Sequence, residues 1–133
     1  MSRNRVEVQV TPQFAHGDSV ICDVSAPSDH HKGGHLRLKK GQSYTLQFDL
    51  RPGSPDDLHF KPEQGGQCDA FWSDAHQCPE TATNAPQYKD PRLSGPNRLE
   101  IDVDVEHGGD PSAVHYRLNF DDGRSFDPII IHE

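Results

Sequence analysis

Histidine is frequent in this chain and is the residue type that most directly suggests chemistry. Nine histidines occur in 133 residues, and His30, His31 and His35 lie within and just after one glycine-containing loop. Neutral imidazole is a favoured ligand of zinc, copper and nickel, so convergence of these rings would form a transition-metal site. Their spacing matches neither a zinc finger nor a His-Glu-x-x-His helix, so a solvated polar loop is the competing interpretation.

The second candidate site is an aromatic pair. Phe71 and Trp72, the only tryptophan, lie outside the regular strand pattern and next to a long polar stretch. Tryptophan is enriched in recognition sites because its large ring carries a polar handle. We therefore predict that Phe71 and Trp72 bind a ligand or peptide. The alternative is that the pair closes one end of the domain beneath the polar stretch.

The three cysteines have different settings. Cys22 lies in an alternating apolar run and is expected to be a small buried residue. Cys68 and Cys78 would close a short disulfide loop in an oxidising compartment, whereas a reducing compartment leaves all three as thiols. The only methionine is Met1 and no cysteine follows Cys78, so the late ligands of a blue-copper site are missing. Copper electron transfer is therefore excluded.

No pattern predicts catalysis. The chain has no glycine-rich phosphate loop, no Gly-x-Ser-x-Gly elbow and no convincing acid–base carboxylate pair. The acidic row from Glu100 to Glu106 alternates with apolar residues, which indicates the wet face of a strand rather than a calcium loop. We therefore expect a protein that is not an enzyme and needs no cofactor. Zinc, copper or nickel at the loop histidines is the alternative.

These side chains must be positioned by strands. Apolar and polar residues alternate over 43–50, 99–105 and 114–120, and no stretch has helical apolar spacing. This predicts one all-β domain over residues 1–133, a single antiparallel β-sandwich, immunoglobulin-like or cupredoxin-like, with about seven to nine strands. A long irregular loop is expected around residues 73–97, which are almost wholly polar and rich in proline.

The C-terminal meander supports finer predictions. Matching of apolar faces predicts a hairpin in which Val105 pairs with Val114. The next turn should be a three-residue loop with Gly123 in the left-handed region. Beyond Pro128, three consecutive isoleucines predict either a kink followed by new pairing, or a partner that covers Ile129 and Ile131.

Composition limits the partners. The net charge of −8 argues against nucleic acid, and no stretch is long and apolar enough to span a membrane. The N-terminus lacks the apolar core of a signal peptide, so a cytoplasmic location is expected. The leading hypothesis is a non-catalytic binding or protein-interaction module, with a protein partner or self-association through Ile129 and Ile131. The alternative is a metal-binding protein or metalloenzyme that uses the loop histidines.

Overall fold

The structure is a computed structural model that describes residues 4–27, 31–32, 35–53, 57–105 and 113–132. Its regular structure is all strand, with no helix in these ranges and hence none that could cross a membrane. The all-β prediction is confirmed. The strands are β1 (Asn4–His16), β2 (Ser19–Ser25), β3 (His31–Lys32), β4 (His35–Leu38), β5 (Ser43–Leu50), β6 (Phe71–Asp74), β7 (Tyr88–Gly95), β8 (Arg98–Asp104), β9 (Ala113–Asn119), β10 (Ser125–Phe126) and β11 (Ile129–His132).

Hydrogen bonds join the strands into one mixed sheet. Its order is β3-β4-β11-β9-β10-β2-β1-β5-β8-β7, and β6 pairs with β9 off this path. Three pairs are parallel, namely β1 with β5, β2 with β10 and β4 with β11. The other seven pairs are antiparallel, so the sheet is mixed rather than the antiparallel one that the sequence predicts. Alternation fixes which face of a strand is buried, but it does not fix the direction of the neighbouring strand.

The sheet folds back on itself to enclose the core. Along the hydrogen-bonded order, β5 and β9 are separated by β1, β2 and β10. A flat sheet would place them about 19 Å apart, since neighbouring strands are about 4.8 Å apart. The ring centroids of Phe48 on β5 and Tyr116 on β9 are nevertheless 5.7 Å apart. The large fully buried aromatic residues are Tyr44, Phe48, Phe60, Phe71, Tyr116 and Phe120.

The predicted hairpin between 99–105 and 114–120 is wrong. β8 pairs with β5 and β7, whereas β9 pairs with β6, β10 and β11. In the structure Val103 lies opposite Tyr44 on β5 and Tyr88 on β7. Because β5 has the same alternation as β9, it matches the apolar face of β8 equally well.

The turn that follows β9 is the predicted one. Gly123 has a φ of 88°, and its N–H donates to the carbonyl of Phe120 at 3.2 Å. The N–H of Phe120 donates to the carbonyl of Arg124 at 3.0 Å, which closes a three-residue loop over 121–123. Phe126 then lies opposite Leu118, so the apolar faces match. The left-handed glycine is what permits this turn.

Pro128 does not move the chain to a new partner strand on the β9 side. Ser125 pairs with Asn119 before the proline and Ile130 pairs with Val114 after it, in one unbroken register. The N–H of Tyr116 donates to the Pro128 carbonyl at 3.0 Å. On the side away from β9 the neighbour does change, because β10 pairs with β2 and β11 pairs with β4. The prediction that the chain pairs anew after Pro128 is therefore wrong on the β9 side.

The predicted irregular loop around 73–97 is shorter than expected. β6 extends to Asp74 and β7 spans Tyr88–Gly95, so the segment without strand structure is 75–87. Among the described strands, β7 ends the sheet order and pairs with β8 alone. It contains Pro91 and shifts register beside Asp90, whose φ is 54°. Proline is tolerated here because an edge strand bonds on one side only, and such irregularity discourages pairing with another chain.

Candidate functional site

Alternation along β6 gives Phe71 and Trp72 opposite surroundings. Phe71 is fully buried, and its ring stacks on Tyr88 at 5.9 Å and on Tyr116 at 5.7 Å between centroids. Trp72 lies on the other face and is half-buried. Phe71 therefore belongs to the core, and Trp72 is the member of the pair that keeps part of its surface exposed.

Pairing of β6 with β9 places a cation over the indole. Trp72 lies opposite Arg117, whose guanidinium carbon is 5.0 Å from the ring centroid. Arg117 Nε donates to Asn119 Oδ1 at 2.8 Å, and Arg117 Nη1 donates to the Pro79 carbonyl at 3.4 Å. A guanidinium at this distance is attracted to the electron-rich ring face. These bonds therefore hold Arg117 over Trp72.

Trp72 and Arg117 line a cavity of about 330 Å³ whose charged residues are three cations and one carboxylate. Two of the cations are partly neutralised, because Arg117 lies 3.9 Å from Asp127 and Arg124 lies 3.6 Å from Asp122. The polar, charged and indole side chains of its lining are Lys61, Gln64, Trp72, Arg117, Asn119, Asp121 and Arg124. We call this space the basic cavity.

A second cavity of about 430 Å³ adjoins the first, because Pro62 and Asp121 line both. Most of its wall is apolar, and it is built by Phe60, Leu93 and Pro96. We call it the apolar cavity, and the two together the groove. Each volume falls in the range of about 300–1,000 Å³ that ligand sites usually have.

Loop 59–69 forms one wall of the groove and is tied to β9. The N–H of Lys61 donates to the Asn119 carbonyl at 2.9 Å, and Asn119 Nδ2 donates to the Asp69 carbonyl at 2.7 Å. The rings of Phe60 and Phe120 stack at 6.0 Å. These contacts hold an irregular segment that pairs with the chain after β9 through an isolated antiparallel bridge between Phe60 and Phe120. A wall already fixed in the free protein lowers the entropy cost of binding.

The predicted histidine cluster lies largely outside the described part of the chain. His30 lies outside the described residues, and only the backbone of His31 is described. On the β3–β4 ribbon His31 pairs with Leu36, and His35 pairs with Lys32, so the two histidines are not register partners. Among the described side chains no three histidine, cysteine or acidic residues are grouped as a metal site requires. The metal site at His30, His31 and His35 stays a prediction.

Ile129 and Ile131 lie on an internal strand. β11 is hydrogen-bonded to β9 on one side and to β4 on the other. Ile130 is fully buried, Ile129 is half-buried, and the Ile131 side chain lies outside the described part of the chain. The backbone of β11 therefore offers no free edge, and self-association there would depend on side chains alone.

All three cysteines are free thiols, and none is activated. Burial raises the pKa of Cys22 to about 12 and is also the main cause that raises the pKa of Cys68 and Cys78. At Cys78 the nearby Asp127 carboxylate raises the pKa further. Nucleophilic cysteines need the opposite environment, one that stabilises the thiolate.

The part of the acidic row that lies on β8 is a neutralised strand face, and Glu106 lies outside the described residues. Glu100 pairs with Arg5 at 3.0 Å, Asp102 with Arg92 at 3.2 Å and Asp104 with Lys89 at 3.1 Å. These cations come from β1 and β7, since β9 is not a neighbour of β8. Exposed pairs of this kind contribute little stability, but they remove the free carboxylates that a calcium site needs.

Comparison of the chain with protein-family models and with curated proteins found no match. Sequence reasoning identified Trp72 but missed Arg117, Lys61 and Asn119. Arg117 and Asn119 looked like ordinary wet positions of a strand, because nothing local indicated that β6 would pair with β9.

Proposed function

We propose that the protein is a non-catalytic binding module whose ligand lies in the groove. The observation that carries this proposal is the Trp72 indole beneath the Arg117 guanidinium, in a cavity that adjoins a larger apolar one. Aromatic and arginine side chains dominate binding energy in recognition sites because they combine large contact area with directed polar groups. The unactivated thiols and the paired carboxylates of the described residues support a binding role over a catalytic one.

The ligand that fits best is an extended segment of a partner protein with an acidic residue next to an apolar one. Lys61 favours a carboxylate in the basic cavity, and Gln64 adds a polar group. Arg117 and Arg124 would share such a carboxylate with Asp127 and Asp122, which lie 3.9 Å and 3.6 Å from them. The apolar cavity, bounded by Phe60 and Leu93, would take the apolar side chain. Charge complementarity of this kind selects partners and speeds their encounter.

The experiment is calorimetric titration with a capped peptide of alternating glutamate and leucine, compared with the same peptide carrying lysine. We expect only the acidic peptide to bind, with affinity that weakens as salt is raised. Arg117→Gln should weaken binding about tenfold, which corresponds to about 1.4 kcal/mol. Arg5→Gln is the matched control, since Arg5 pairs with Glu100 away from the groove.

Two results would contradict the proposal. The first is equal affinity for the acidic and the lysine peptide. The second is an equal loss of affinity in Arg117→Gln and Arg5→Gln. Either would show that positive charge beside Trp72 does not recognise the ligand.

At the level of architecture, we infer a sandwich of immunoglobulin-like or cupredoxin-like type. The close approach of Phe48 and Tyr116 across the folded sheet supports two facing halves. The parallel pairing of β1 with β5 would make this a mixed sandwich, and it does not choose between the two types. Architecture of this kind hosts many functions, so it adds nothing to the choice of ligand.

Metal binding at the loop histidines is the second candidate. The observation in its favour is that β3 and β4 form a short ribbon that brings the backbones of His31 and His35 onto adjacent strands. Elemental analysis of protein purified without an affinity tag tests it. A stoichiometric transition metal that disappears in His35→Ala would support this function, and metal-free protein would refute it.

A further inference from the structure

A third cavity continues the groove beyond the apolar cavity. It has a volume of about 380 Å³ and shares Gly95 and Pro96 with the apolar cavity. Among the described residues it shares no lining residue with the basic cavity, so the apolar cavity lies between the two. We call it the arginine cavity, and its polar and charged lining residues are Asp49, Arg51, Ser94, Asn97 and Arg98.

Hydrogen bonds fix the wall between the apolar cavity and the arginine cavity. The N–H of Phe60 donates to the Pro96 carbonyl at 3.0 Å, and the N–H of Leu50 donates to the Asn97 carbonyl at 2.8 Å. His59 Nδ1 lies 2.5 Å from Asn97 Oδ1 and is the donor, because an amide oxygen can only accept. This bond orients the Asn97 amide, whose Nδ2 donors have no acceptor among the described residues.

The described lining of the arginine cavity contains one carboxylate, and this carboxylate is already bound. Asp49 Oδ1 accepts from Arg98 Nε at 2.8 Å, and Asp49 Oδ2 accepts from Gln47 Nε2 at 3.0 Å. The charge of Arg98 is partly neutralised by this bond and by the nearby carboxylates of Glu7 and Glu100. A cationic ligand would have to displace Arg98 or Gln47 from Asp49, so the arginine cavity disfavours cations.

Arg51 is the cation of the arginine cavity that stays available. Its N–H donates to the Val10 carbonyl at 2.8 Å, which anchors the backbone that carries the side chain. Its guanidinium takes part in none of the ion pairs in the described part of the chain. A guanidinium presents a planar fork of donors that matches a carboxylate. Asn97 Nδ2 and the Ser94 hydroxyl add donors to the same lining.

We propose that the arginine cavity binds a second acidic side chain of the partner segment, on the far side of the apolar residue. The inference rests on the proposed function and adds an order to it, because the three cavities then take an acidic, an apolar and an acidic side chain in turn. Arg51 would donate to the second carboxylate, and Asn97 would supply amide donors. An exposed pair of this kind contributes modestly to affinity, but it discriminates between partners.

The test is a thermodynamic cycle with two capped peptides of equal length. One carries a glutamate, a leucine and a second glutamate placed one to three residues beyond the leucine, in either chain direction. The other has glutamine in place of the second glutamate. We expect the first peptide to bind the wild type about fivefold more tightly at its best spacing, as measured by calorimetric titration. Arg51→Gln, a change at an exposed position, should abolish this difference.

Lys61→Gln is the matched comparison, because Lys61 lines the basic cavity. It should weaken both peptides equally and leave the fivefold difference unchanged. If the glutamine peptide does not bind the wild type, the proposed function fails and the inference falls with it. Equal affinity of the two peptides, or a difference that survives in Arg51→Gln, would overturn the inference alone. A difference that disappears in Lys61→Gln instead would place the second carboxylate in the basic cavity and also overturn it.

Discussion

Ser73→Ala tests how the irregular segment 75–87 is held against β6. Ser73 is fully buried, and its Oγ donates to Asn84 Oδ1 at 2.9 Å. The same Oγ accepts the N–H of Ala85 at 3.0 Å, and the Ser73 N–H donates to the Thr83 carbonyl at 3.0 Å. β6 pairs with β9 on one side, and on the other side the Ser73 hydroxyl joins it to residues 84 and 85. It also lies next to Trp72, so it fixes the strand that carries the proposed site.

The cost of this substitution follows from the two bonds. Removing the hydroxyl leaves the N–H of Ala85, itself 5% exposed, without an acceptor. A buried donor without a partner costs about 1–3 kcal/mol, and the lost bond to Asn84 adds about 1 kcal/mol. We therefore expect Ser73→Ala to lower the free energy of unfolding by about 2–4 kcal/mol.

Urea unfolding followed by circular dichroism measures this loss as a lower midpoint at an unchanged slope. Ser43→Ala is the matched control. The Ser43 hydroxyl also donates to a side chain, Asp104 Oδ1 at 2.9 Å, but it is half-buried on the wet face of β5. Its loss should cost less than about 1 kcal/mol because water replaces the bond. Equal losses in the two variants would refute the reasoning.

Two further predictions concern a close backbone contact at Gly53 and the buried thiol of Cys22. A Cβ at Gly53 would overlap the backbone carbonyl of Pro12, so Gly53→Ala should lower the thermal midpoint clearly, whereas Gly95→Ala, with open space around it, should not. Because burial raises the pKa of Cys22 from 9.0 to about 12, its contribution to stability is complete below about pH 9 and is lost as the pH rises towards 12. The urea midpoint should therefore fall between pH 8 and about pH 11, and Cys22→Ala should show a smaller fall. Equal thermal midpoints for the two glycine variants, or an unchanged pH dependence in Cys22→Ala, would contradict these two arguments.

Sequence reasoning predicted strands well where alternation was regular. β5 spans Ser43–Leu50, as its alternation indicates, and the three-residue turn at Gly123 follows from turn chemistry. Both depend on local interactions, which a single chain segment contains. β7 was missed because Pro91 interrupts its pattern, although an edge strand tolerates proline.

Strand neighbours could not be predicted in the same way. An alternating strand has the same buried face whichever strand lies beside it, so β8 was assigned to β9 although it pairs with β5 and β7. The same limit applies to predicting the candidate site, since it depends on which strands are neighbours. Trp72 was recognisable as an isolated aromatic residue, but Arg117 reaches it only because β6 pairs with a strand about 45 residues away, and loop closure of that length leaves no local signal.

Accessibility of Trp72 gives the most direct test of the proposed groove. Because it is the only tryptophan, its fluorescence reports on the basic cavity alone. Acrylamide, which is uncharged, should quench this fluorescence in the free protein and much less when the acidic peptide is bound at saturation. Quenching that is unchanged by a saturating acidic peptide would place the ligand elsewhere and contradict the proposed site.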